Sequence, residues 1–275
     1  MFNVQSVNVS GLAAKLPRLI KKHQGGASQK KGQRYEDYFS LYKIAKSSAE
    51  IFKGTLKDAE ILDQAQYSFV DDLVIKKSKN KLDYYQLKNT KDLSWNKELL
   101  ADFEDQDKLA SHAKANFSLV LVVSNAKVFN KLSNMPSNTS KKTFIKLFPE
   151  PINCQDMVDN FVGFSVWMKE ISAKRNPSTM DLDTLAKNIQ SEWINLSCQK
   201  FTGIKKLLEI SNRESVPVRT EWISTSKWKK ARAILNKIPN LAVYTDRGIF
   251  EYEFILKGAT SDGFFQASPD SKKAR

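Results

Sequence analysis

The chain has 275 residues, a net charge of +14 from 44 basic and 30 acidic residues, and 41% hydrophobic and 11% aromatic content. Such a chain can bury a sizeable core in one large domain or two ordinary ones, which excludes an intrinsically disordered chain. No apolar run approaches membrane-spanning length and the start lacks a secretory pattern, so a cytoplasmic protein with no membrane partner is expected, its charge favouring nucleic acid.

Residues 1–31 read as an N-terminal segment, whose one basic amphipathic stretch, Gly11 to Lys22, is interrupted by Pro17. A helix is expected after Gly32, because Tyr35, Tyr38, Phe39, Tyr42, Ala45, Ala49 and Phe52 recur at helical spacing on one stripe. Glu36 falls at the edge of that stripe, about 100° from Tyr35 and about 60° from Phe39 around the helix. A turn near Gly54 and a short segment, Ala59 to Gln66, lead to a predicted β-hairpin over Phe69 to Asn89. Asn96 to Asn116 reads as a helix with Leu99, Leu100, Phe103, Ala110 and Ala113 inward. Leu119 to Val123 reads as a strand covered on both faces, and a helix of that length between strands is what a parallel crossover requires. Residues 32–150 are therefore expected to form an α/β domain with a mixed sheet.

Residues 133–153, with Pro136, Pro149 and Pro151, read as a loop and a domain boundary. Residues 151–265 are expected to be mostly helical. One stripe holds Met157, Val158, Phe161, Phe164, Met168 and Ile171, and a second holds Leu182, Leu185, Ile189 and Leu196. A third helix falls over Gly203 to Ile210, and Ser226 to Ile238 reads as a basic amphipathic helix. A closing hairpin over 241–256 turns at Asp246-Arg247-Gly248, and 266–275 reads as a disordered tail. Two cysteines, Cys154 and Cys198, make no disulfide framework, and with His23 and His112 they show no zinc spacing.

The chemistry concentrates in the first hairpin. Asp71-Asp72 open its first arm and Gln86-Leu87-Lys88 close its second. If the turn around Lys79-Asn80 has three or five residues, even positions pair with even ones. Asp72 then shares a face with Gln86 and Lys88, while Phe69, Leu73, Ile75, Tyr85 and Leu87 collect on the other. A two- or four-residue turn sets Asp71 beside Lys88 and mixes polar with apolar, so the first register is preferred. Asp72 and Gln86 offer oxygen ligands to Mg²⁺ or Mn²⁺, with Asp71 the other adjacent acid that can bind metal. Lys88 can orient an attacking water and offset charge in the transition state of phosphodiester cleavage. Glutamine is neutral, so the site needs a further carboxylate, and Glu36 is the candidate.

The order Tyr35-Glu36 on an opening helix, Asp71-Asp72 at a strand start and Tyr85-Gln86-Leu87-Lys88 on the next strand resembles the PD-(D/E)xK nuclease superfamily, over roughly Gly32 to Asn125. More narrowly it is similar to the double-strand DNA endonuclease domain of bacterial antiphage effectors, namely the CBASS nuclease effectors and the nuclease subunit of Lamassu-type systems. The resemblance implies a restriction-endonuclease-like core and Mg²⁺-dependent cleavage of double-stranded DNA. It also implies activation by assembly into a homo-oligomer or by a partner, such as an SMC-like ATPase with an accessory subunit. It makes Asp72 and Gln86 metal ligands, Lys88 the catalytic lysine and Glu36 the completing acid. Glutamine stands where the superfamily's named motif has an acid.

Two other readings stay open. One is a non-catalytic nucleic-acid-binding or assembly module on the same scaffold, with Lys76 to Lys81, Lys141-Lys142, Lys205-Lys206 and Lys227 to Arg232 as its footprint. Trp95 and Trp228 would then be available to stack on bases. The other is a ribonuclease of the same fold.

Overall fold

A computed structural model describes residues 3–20, 30–137, 139–161, 163–196, 200–213, 215–219, 233–235, 237–238, 241–246, 249–256 and 259–265. A short helix α1 (Val4–Val9) and the long helix α2 (Lys30–Phe52) precede strand β1 (Glu60–Asp63). The hairpin β2 (Leu73–Ser78) and β3 (Lys81–Lys88) is followed by α3 (Lys97–His112), β4 (Asn116–Val123), α4 (Ala126–Ser133) and β5 (Thr143–Leu147). Then come α5 (Cys154–Asn160), α6 (Phe164–Ile171), α7 (Thr179–Leu196), a two-residue strand β6 (Thr202–Gly203) and α8 (Ile204–Ile210). Among the described residues no helix is long and apolar enough to cross a membrane.

The first six strands form one mixed sheet in the order β5-β4-β3-β2-β1-β6. Strands β3, β4 and β5 run parallel, and β3-β2, β2-β1 and β1-β6 are antiparallel. Helix α3 makes the crossover from β3 to β4 that parallel pairing requires. The fold is thus α/β with a mixed sheet followed by helices. The hairpin expected over 241–256 is present as β7 (Leu241–Asp246) and β8 (Ile249–Leu256), and β9 (Ala259–Phe265) makes it a three-stranded antiparallel sheet. The basic helix expected over Ser226 to Ile238 lies mostly outside the described residues, as do Trp228, Cys198 and the tail.

A short segment given no assignment and a stretch read as a loop contain strands. Ala59 to Gln66 holds β1, and the proline-bounded segment 133–153 holds β5, paired parallel to β4 from Thr143 to Leu147. Both are short strands at or near a sheet edge, where alternation over four or five residues is a weak signal.

Each face of the sheet packs against helices. On one face Val70, Val74, Tyr84, Leu119, Leu121 and Val123 meet Leu99 and Phe103 of α3 and Val128 and Leu132 of α4. On the other, Leu73, Ile75, Tyr85, Leu87, Val120 and Val122 meet α2. The expected apolar set on this face is right except for Phe69. That ring packs with Val7, Leu12, Leu19 and Leu109, where the N-terminal segment docks on α3. Ion pairs Arg18–Asp102 (2.8 Å) and Lys15–Asp105 pin the same contact.

Helix α2 is buried on more than one stripe. Phe39, Leu41 and Ile44 are all fully buried, although they point in different directions around the axis. The second side is covered by α5 to α8, whose Met157, Phe164, Met168, Leu185, Ile189 and Leu207 join the same cluster. Residues on both sides of position 150 therefore contribute to one core, and β6 adds to the same sheet. Small residues on α2 (Ser40, Ala45, Ser47, Ser48, Ala49) let helix and sheet approach closely on both sides. Tyr35 fixes the start of the helix by donating its hydroxyl to the Phe148 carbonyl just after β5, at 2.8 Å. Phe39 stacks edge-on against both Tyr85 and Phe148.

Phe39→Ala should therefore cost about 3–5 kcal/mol in urea unfolding, the range for deleting a buried phenyl ring. Tyr35→Phe should cost about 1 kcal/mol, since it strands one buried carbonyl and leaves the packing alone. Equal losses for the two variants would show that the Phe39 ring is not central to the core.

Candidate functional site

The parallel strands end together at one edge of the sheet, with Lys88 opposite Val123 and Val123 opposite Leu147. In open α/β sheets the carboxyl ends of parallel strands are where ligands gather. The antiparallel neighbours bring β2's first residue and β1's last to the same edge, as Asp63 pairs with Leu73 and Leu73 with Tyr85.

The hairpin register is the preferred one: Leu73 pairs with Tyr85, Val74 with Tyr84 and Lys76 with Leu82, so even positions face even ones. The route to it differs from the expected turn. Ser78 pairs with Lys81, leaving a two-residue turn, Lys79-Asn80, which alone would give the opposite parity. An irregularity between Lys76 and Ser78 shifts the register by one residue and restores it. This is what a β-bulge does: one strand spends an extra residue and its later side chains change faces.

Asp72 immediately precedes β2 and is not confined to a sheet face. Its Oδ2 accepts the Leu87 backbone N–H at 2.7 Å and also the Gln86 side-chain amide, Nε2 donating. The carboxylate thus takes the place of a main-chain acceptor at the end of the β2–β3 ladder. Gln86 is 2% exposed. In this arrangement its amide nitrogen orients Asp72, and its oxygen is the atom that could ligate a cation. Asp71 is buried, and its backbone carbonyl accepts the Ala65 N–H at 2.8 Å.

Glu36 comes to this edge from α2. Burial first, and then the charge of Asp72, push its carboxyl up to about 8. A hydrogen bond from Gln64 and the charge of Lys88 work in the opposite direction. Asp72, Gln86, Lys88 and Glu36 are therefore brought together, by hydrogen bonds between the first two and by electrostatic coupling to the others. Lys88 itself is half-buried on the last position of β3.

Two contributors escaped the sequence reading. Gln64 donates Nε2 to Glu36 Oε2 at 2.9 Å from a left-handed backbone, φ +45°. Such a conformation costs a non-glycine residue about 1–3 kcal/mol and often marks a functional position. Asp37 is raised to about 6 by burial and then by Asp63 at the end of β1. For Gln64 the only sequence signal was its place just after a short strand that was itself unrecognised, and for Asp37 it was adjacency to Glu36.

The donor set is carboxylate and amide oxygen, which suits a hard divalent cation that keeps several of its waters. Among the described residues no three His, Cys, Asp or Glu side chains converge as a metal-holding group. The donors here are two carboxylates and an amide, a sparse set that fits a cation bound largely through water and substrate phosphate. The chain matches no family model, no curated protein and no solved structure.

The raised Glu36 carboxyl has a sign that can be tested. Between about 4.5 and about 8 the folded state holds this proton more tightly than the unfolded chain, so Glu36 lowers stability as pH rises through that window. In thermal melts without divalent metal, Glu36→Gln should exceed wild type at the upper end of the window. The gap should close toward the lower end; one that widens on acidification would refute the coupling.

Proposed function

We propose that the chain is a metal-dependent phosphodiesterase that cuts double-stranded DNA. The observation that carries this reading is the convergence of Asp72, Gln86, Lys88 and Glu36 at the carboxyl edge of the parallel strands. Asp72, with Glu36 and the Gln86 oxygen, would hold Mg²⁺ or Mn²⁺. The cation, when bound, supplies a Lewis acid on the scissile phosphate and lowers the pKa of a water. Asp72 is oriented by the Leu87 N–H and the Gln86 amide, so one of its oxygens stays directed into the ladder. Lys88, two residues beyond Gln86 on the same strand face, would hold the attacking water and offset charge as the phosphorus centre becomes five-coordinate. Glu36 takes up or releases a proton at its carboxyl according to whether a cation stands beside it.

An effector role, with activity released by homo-oligomer assembly or by an SMC-like ATPase, rests on the sequence resemblance alone. A second reading is a non-catalytic nucleic-acid-binding module on this scaffold. It is favoured by the glutamine at position 86 and by the absence of a three-acid cluster among the described residues.

Plasmid cleavage with Mg²⁺ separates the two. Lys88→Ala should abolish cutting, by about 10²-fold or more, while leaving the melting temperature and duplex binding unchanged. Activity that survives this change would sink the assignment of Lys88 and of the site built around it, and a wild type that binds duplex without cutting favours the second reading. Asp72→Ala should cost more activity than Asp71→Ala, and EDTA should end cleavage; the reverse order of the two aspartates would move the site to Asp71. An RNA substrate in parallel decides between DNase and RNase.

A further inference from the structure

Lys43 sits in the middle of α2, only 6% exposed, with its Nζ 4.6 Å from the centroid of the Tyr85 ring. Among the described residues no hydrogen-bond acceptor and no carboxylate pairs with this amine. The acid beside it, Asp83, is already engaged by Lys77 at 2.8 Å, by Ser118 Oγ at 2.7 Å and more weakly by the Tyr85 hydroxyl at 3.4 Å. Burial alone would raise Asp83, yet the hydrogen bonds from Lys77 and Ser118 and the charges of Lys77 and Lys43 hold it below the usual range.

The charges of two further amines act on Lys43: Lys146 on β5, whose Nζ lies 5.0 Å from the centroid of the Tyr42 ring on α2, and Lys46, one turn along α2. Burial and then these like charges push Lys43 down to about 7, with Asp83 opposing. Lys146 is lowered too, by burial and by Lys46. The carboxylate nearest Lys46 is Glu50, 3.9 Å away. Four lysines (43, 46, 77 and 146) thus stand with two carboxylates (Asp83 and Glu50), an excess of positive charge that suits an anion.

Packing does not require an amine here. A methionine has similar length and no desolvation cost, so Lys43 is a local destabilisation of the kind that marks binding sites. Access is available from one side. Strand β5 is outermost in the sheet, and Phe144, on the same strand face as Lys146, is 53% exposed. Lys43 also follows Glu36 by seven residues, about two turns or 10.5 Å along α2 and within about 20° of the same helix face.

We propose that Lys43, Lys46 and Lys146 form a phosphate-binding site, with Lys43 at its floor. The phosphate can belong to a nucleic-acid backbone, a source that rests on the nuclease reading above, or to a small free anion.

The test uses the full chain as wild type, Lys43→Met, Lys146→Met and Lys88→Ala. One arm follows thermal melting in inorganic phosphate against sodium chloride at equal ionic strength. The other follows binding of a short labelled duplex, without divalent metal, as salt is varied. Inorganic phosphate should raise the wild-type melting temperature beyond chloride, and both Met variants should lose that increment. In the duplex arm both should bind about tenfold more weakly near 0.15 M salt, with a log–log salt slope smaller by about 1.

A loss confined to the duplex arm assigns the site to nucleic-acid phosphate, and a loss confined to the phosphate arm assigns it to a small anion. Met variants unchanged in both arms overturn the site. Lys146→Met keeps the question answerable should Lys43→Met misfold. Lys88→Ala separates the two failures. If it abolishes cleavage while the Met variants bind as wild type, the phosphate site falls and the nuclease reading stands. If neither it nor the wild type cuts with Mg²⁺ while the Met variants lose binding, the nuclease reading falls and the phosphate site stands.

Discussion

The arrangement at the strand edge depends on one carboxylate. Asp72 accepts the Leu87 N–H, a donor that would otherwise lose its partner where β2 stops, and it accepts the Gln86 amide with the same oxygen. Hydrogen bonds to a charged acceptor are worth more than neutral ones, about 1.5–3 kcal/mol each. The same contacts that end the β2–β3 ladder therefore fix the position of the acid. Its charge is then felt by Glu36 across the edge. Structure and chemistry meet in a side chain that terminates a sheet ladder, and for that reason its position is set by the backbone of β3 rather than by a flexible loop.

Electrostatic cost is distributed unevenly along α2. Near its start, Glu36 and Asp37 are half-buried beside other acids and are raised to about 8 and about 6. In its middle, Lys43 is buried beside other cations and is lowered to about 7. Opposite charges on one helix face, two turns apart, do not neutralise each other, and at each the like charges and burial outweigh the one opposite charge nearby. Packing that served stability alone would mix these signs or replace the groups by apolar ones. The helix tolerates both because its apolar residues are buried on two sides, against the sheet and against α5 to α8.

The sequence showed more of the sheet than of the layers around it. Tyr85, Leu87, Leu73 and Ile75 alternate along two strands, and that period-2 pattern with a long following helix was enough for a mixed α/β sheet. The even-to-even register was legible from the segregation of polar and apolar side chains. Its cause was not, because a bulge at Lys76 to Ser78 has no residue signature here: lysines and a serine stand where a glycine would have advertised it. The short strand β6 was invisible for a different reason. Two residues, Thr202 and Gly203, carry no periodicity, and only pairing with Glu60 and Ile61 makes them a strand. A single stripe was expected for α2, and Leu41 and Ile44, which lie off it, are buried by the helices that cover them.

Of the candidate site, Asp72, Gln86, Lys88 and Glu36 were legible as residue types at a spacing, whereas Gln64 and Asp63 were not. The difference lies in what positions each group. Strand alternation places Gln86 and Lys88, and helix geometry places Glu36, so local rules suffice. Gln64 reaches Glu36 only because the chain between β1 and β2 folds back, with the Gln64 and Ala65 N–H groups bonded to the carbonyls of Asp72 and Asp71. That loop is anchored in turn by Gln106 of α3, whose Oε1 accepts the Phe69 N–H at 2.7 Å. The acid from α2 is therefore tied to the hairpin through a buried glutamine on the opposite side of the sheet, a link of tertiary origin. A change at Gln106 would be felt at Glu36 through the backbone of this loop, and the site extends in that sense through the sheet to the helix behind it.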